Sequence, residues 1–142
     1  KPANTLLEKI AASASGADTN AMMSREVGLP LCQALLAFAD GDYRKSVGLI
    51  ESVRPHANRF GGSNAQRDVI ALTQVEAALR GNMVSTARGL AAERTSYKPS
   101  SPFNWQLTSR VLELSGDGAA AEQVRSQAAA LVDQTARAGA AG

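Results

Sequence analysis

One cysteine, one histidine and one tryptophan in 142 residues leave few ways to assemble a reactive centre. Cys32 alone forms no intrachain disulfide, and this usage fits a reducing compartment, so a cytoplasmic chain is the expectation. A lone Cys32 and a lone His56 fall short of a four-ligand metal set, and no carboxylate cluster has cation-binding spacing, so no metal is expected. Together they also suggest a nucleophile and base, but no third, orienting group is identifiable, and a buried inert thiol is the ordinary fate of such a cysteine. No catalytic residue is therefore assigned. The glycine-rich turns are not preceded by strands, which removes the dinucleotide and phosphate-loop readings and leaves no cofactor expected.

Aromatic residues make up only 4%, and no run of about 18 apolar residues is present, so no membrane span is expected. Charge is nearly balanced, with 15 Lys and Arg against 13 Asp and Glu, and a formal net charge of +2. The pI near 9.0 overstates the basicity, because it hangs on one or two groups. Arg44, Lys45, Arg54, Arg59 and Arg67 outline a basic stripe, but Asp40, Asp42, Glu51 and Asp68 interrupt it. With few aromatics to stack on bases, this pattern argues against a nucleic-acid partner. No targeting segment is visible, and a start at Lys1 suggests a piece of a longer chain.

What is present is a core-forming composition, 44% hydrophobic and 20% charged, rich in alanine. Small side chains imply helices in close approach, and no stretch alternates as a strand does. The sequence therefore predicts an all-α chain of about seven to eight helices, one helical-repeat domain over 1–142. Helix pairs are expected over roughly 3–27, 30–60, 64–95 and 102–137, with a frayed tail at 139–142. Gly28 is expected to end a short helix and Pro30 to open the next. Leu31, Ala34, Leu35 and Phe38 then share a face, and Pro55 interrupts the helix marked by Tyr43, Val47, Ile50 and Ala57. Ala65, Val69, Leu72, Val75 and Leu79 form the cleanest stripe.

Three turns look alike: Gly41-Asp42, Gly81-Asn82 and Gly116-Asp117, whose glycines lie 40 and 35 residues apart. Such spacing is that of helix-pair repeats, in which neighbouring pairs cover one another's apolar faces. The expected architecture is a tetratricopeptide-like α-solenoid of stacked antiparallel helix pairs. Trp105 opens one first helix and is read as packing against the preceding pair.

Between the second and third pairs stands Phe60-Gly61-Gly62-Ser63-Asn64-Ala65-Gln66-Arg67-Asp68. Gly61 and Gly62 suit a helix C-terminus, Ser63 an N-cap, and Gln66 the reciprocal capping-box position. These four residues are read as a structural motif.

The run Val27-Gly28-Leu29-Pro30, Ala34-Leu35, Ala37-Phe38-Ala39 and Gly41-Asp42-Tyr43 resembles the tetratricopeptide repeat protein 38 family. So do the stretch from Gly61 to Val69, then Ala77-Ala78-Leu79, Ala87-Arg88, Ala92-Glu93-Arg94 and Ser101-Pro102-Phe103-Asn104-Trp105. The resemblance spans roughly Arg25 to Leu114, and the glycine-serine stretch is its most specific part. It implies the C-terminal portion of a longer α-solenoid and brings no established catalytic activity.

The functional expectation is a non-enzymatic module for protein–protein interaction or self-association. If first helices line a groove, Arg67, Asp68, Gln106 and Arg110 are the candidate partner contacts, the arginines holding carboxylates by paired hydrogen bonds. Two other classes stand beside this one. In the first, missing upstream repeats complete an enzyme or small-molecule site. In the second, the chain is a structural end-cap whose last helix carries Glu122, Gln123, Arg125, Ser126 and Gln127 toward solvent.

Overall fold

A computed structural model describes residues 2–59 and 64–140, with side chains at 2, 3 and 57–59 left aside. Among the described residues every regular element is helical: α1 (Pro2–Ser13), α2 (Thr19–Met23), α3 (Leu29–Ala39), α4 (Tyr43–Val53), α5 (Asn64–Arg80), α6 (Val84–Tyr97), α7 (Pro102–Leu114) and α8 (Gly118–Ala140). The all-α reading holds. The helices fall into two compact units, Lys1–Gly81 and Asn82–Gly142.

In the first unit α4 packs on α3 and on α5. Alanines allow the approach: Ala34 and Ala37 are buried on α3, Ser46, Val47, Ile50 and Val53 on α4. Phe38 meets Tyr43 edge-on with ring centres 5.5 Å apart, and the Arg80 guanidinium lies 5.3 Å from the Phe38 ring centre. Glu76, then Tyr43, hydrogen-bond Arg80 and hold its pKa above the usual arginine value.

In the second unit α7 packs on α6 and α8. Leu107 and Val111 are buried on α7, Ala121 and Ala128 on α8, and Ala87 and Ala91 on α6. The Ser109 hydroxyl donates to the Ala121 carbonyl at 3.0 Å, a polar contact that only a small residue on the facing helix permits. Asn104 closes α6 from the side. Its amide nitrogen donates to the carbonyls of Arg94 (3.0 Å) and Lys98 (3.3 Å), and its oxygen accepts from Arg94 Nε at 3.1 Å. Trp105 is half-buried, and its indole N–H donates to the Pro99 carbonyl at 2.7 Å.

The repeated turn has a common mechanism. After α3, Gly41 at φ +82° lets its own N–H reach the Phe38 carbonyl and that of Asp42 reach Ala37. After α7, Gly116 at φ +85° does the same toward Glu113, and Asp117 toward Leu112. Both are Schellman closures, which only a left-handed residue can make. The next residue then caps the following helix: Asp42 accepts from the Lys45 N–H and Asp117 from the Ala120 N–H. In the middle turn the left-handed residue is Asn82 (φ +53°), not Gly81, and Met83 occupies the cap with no side-chain hydrogen bond. The structural spacing is therefore 41 and 34 residues.

Five sequence expectations are corrected. Gly28 does not end a helix. It lies at φ −62° and ψ −51°, and the chain runs from α2 through one π turn (Ser24–Gly28) into α3. The wide turn, closed by the Leu29 N–H on the Ser24 carbonyl, opens the backbone where Pro30 supplies no donor and crowds the preceding carbonyls. Pro30 accordingly follows Leu29 in the first turn instead of opening the helix. The stripe on α5 fails in its first half: Val69 is 60% exposed, while Gln74 is 1% exposed. Leu35, read on one face with the buried Ala34, is 44% exposed. Gly139 belongs to α8, which continues to Ala140 because the alanine-rich tail favours helix. The Pro55 interruption is real and takes the form of a 3₁₀ segment (Arg54–Arg59).

One buried group stands out energetically. Among the described residues, Ser46 Oγ is buried on α4 with no hydrogen-bond partner. Ser46→Ala removes that desolvated hydroxyl and keeps the small volume, so stability rises or holds, by up to about 1 kcal/mol in urea unfolding. A loss of 1 kcal/mol or more would show that the hydroxyl has a partner after all.

Candidate functional site

The N-terminal half of α5 faces the end of α4 across an apolar cleft of about 140 Å³. Val27, Ile50 and Val53 form its buried floor, Ile70 and Ala71 a half-buried wall, and Arg54, Arg67 and Gln74 the polar margin. The helix period explains the wall: Ile70, Ala71 and Gln74 stand three, four and seven residues after Arg67 and share its side of α5.

The polar margin is largely internally engaged. Gln74 donates from Nε2 to Glu51 at 2.7 Å, and Arg54 Nη1 lies 3.8 Å from the same carboxylate oxygen. Arg67 donates to the side-chain oxygen of Asn64, a neutral acceptor. His56 Nδ1 is 3.9 Å from Glu26 Oε2, so the histidine faces a carboxylate. Cys32 is half-buried on α3. Among the described residues no group of three or more His, Cys, Asp or Glu is placed to hold a metal ion. Among the described residues no helix is long and apolar enough to cross a membrane.

Of the residues singled out from sequence, Arg67 is half-buried at the cleft. Asp68, one position on and about 100° around the helix, is exposed and has a bonding partner of its own. Gln106 and Arg110 are exposed one turn apart on α7, in the second unit, and Arg110 is likewise engaged. Gln66 is exposed on the first turn of α5 and engaged. Gly61, Gly62 and Ser63 lie outside the described residues, and so does the capping box read from them. Sequence reasoning missed the cleft residues Ile70, Ala71 and Gln74. The available signal was their register with Arg67, which competed with the apolar stripe through Val69.

The other strong polar cluster is on α8. Arg125 hydrogen-bonds Glu122 at 2.8 and 3.0 Å and reaches Glu113 on α7. Glu122 first and then Glu113 hold its pKa above the usual arginine value. This cluster ties the exposed sides of two helices together and offers no reacting group. No protein-family model matches the chain, and no solved structure matches it.

Proposed function

We propose that the chain is a non-enzymatic helical-repeat module, a tetratricopeptide-like solenoid of stacked antiparallel helix pairs, that mediates protein–protein interaction or self-association. The observation that carries this reading is the recurrent turn. A left-handed residue at 41, 82 and 116 is followed each time by a new helix, capped by an aspartate side chain after 41 and 116. The interval from 82 to 116 equals the 34-residue tetratricopeptide period. The resemblance to the tetratricopeptide repeat protein 38 family, carried by residues between Arg25 and Leu114, points the same way.

Arg67 and Asp68 on α5, and Gln106 and Arg110 on α7, are the proposed contacts. A photo-crosslinking residue at Val69, exposed beside Asp68, tests the α5 edge in the source cells. A discrete adduct, to another protein or to a second copy, is the outcome expected. Diffuse labelling that free competitor chain does not reduce would reject the reading. The end-cap alternative draws support from α8, where Ala121 and Ala128 are buried and most of the helix is exposed.

A further inference from the structure

The α4–α5 cleft has a chemistry narrower than a general contact surface. The cleft opens to solvent, and its volume of about 140 Å³ is large enough for the hydrocarbon of a benzene-sized guest. An apolar guest displaces the water held against this lining and removes apolar surface from solvent, which favours binding.

The margin then selects the guest's charge. Arg67 is half-buried against this apolar surface, and its hydrogen-bond acceptor, the Asn64 side chain, is neutral. A guanidinium in partly excluded surroundings attracts a carboxylate more strongly than one in open water. The neighbouring carboxylates are committed elsewhere: Glu51 to Gln74 and Arg54, Glu26 to His56, while Asp68 is exposed and engaged. Glu51 also disfavours a second carboxylate at the Gln74 end. The guest's charged end is thereby directed to Arg67.

We infer that the cleft binds a short aliphatic carboxylate, with a chain of roughly six carbons to match the void. The hydrocarbon lies on Ile50, Val53, Ile70 and Ala71, and the carboxylate takes the two-pronged hydrogen bond of Arg67. This site shares Arg67 with the proposed protein contact, but the cleft exists without a protein partner, and a titration of the isolated chain reads it alone.

The test is an amide NMR titration of the full chain with sodium hexanoate, 1-hexanol and hexylamine. Hexanoate is expected to give saturable shifts at residues 67–74, with hexanol about tenfold or more weaker and hexylamine weaker still. Arg67→Gln is expected to reduce hexanoate to the hexanol level. Ala71→Met fills the void and is expected to remove both. Hexanol binding as tightly as hexanoate overturns the assignment, as does wild-type hexanoate affinity in Ala71→Met. Absence of saturable shifts at 67–74 overturns it too, and that result needs no variant to fold.

Discussion

Replacing Asn104 by alanine destabilises the second unit by about 3 kcal/mol in denaturant unfolding. Asn104 is 3% exposed, and three hydrogen bonds depend on its side chain. Alanine leaves the carbonyls of Arg94 and Lys98 at the end of α6 without this donor, and Arg94 Nε without this acceptor. Each carbonyl keeps one backbone donor, the Lys98 N–H on Arg94 and the Ser101 N–H on Lys98. The cost is therefore the loss of three side-chain hydrogen bonds, one of them to a charged group, at a buried position. Asn104→Asp separates the two roles. A carboxylate still accepts from Arg94, but it cannot donate, and it sets negative charge beside the negative end of α6. The aspartate variant is therefore expected to be strongly destabilised as well. If it unfolds at the wild-type midpoint, the closure of α6 by Asn104 is wrong.

Ile50→Ala is the second large effect, about 3 kcal/mol and within the usual range for truncating a buried isoleucine. Ile50 is fully buried where α4 meets its neighbours, and the lost methyl groups leave a void that adjoins the cleft. Val69→Ala serves as the control on α5. At 60% exposure it is expected to change stability by no more than about 0.5 kcal/mol. Equal losses from both substitutions would restore Val69 to the core and contradict the face assigned to α5.

These residues also show which parts of the structure were legible in the sequence. The turns at Gly41-Asp42 and Gly116-Asp117 were readable because glycine's left-handed backbone and aspartate's cap both act within a few residues. The middle turn was read one position early, since asparagine tolerates the same conformation less visibly than glycine. Gly28 misled for a related reason: a glycine closely followed by a proline usually marks a boundary, but the π turn allows the helix to pass through Gly28-Leu29-Pro30. Gln74 and Asn104 were beyond local reasoning. A buried amide is explained only by partners, and Gln74 finds Glu51 23 residues away on another helix. Arg67 stands out in the sequence through its place in a glycine-serine motif whose first residues lie outside the described structure. Its cleft depends on the turn of α5 relative to α4, which the apolar pattern did not determine.

The reading of the chain as an interaction module turns on the α5 edge, and partner capture by paired variants tests it best. Wild type and Arg67→Ala/Asp68→Ala, both carrying the photo-crosslinker at Val69, are compared in the source cells after their thermal melts are measured. The module reading requires that the double variant melt like wild type and lose the discrete adduct. The same adduct at wild-type yield from a well-folded double variant would contradict it, because the edge would then take no part in recognition.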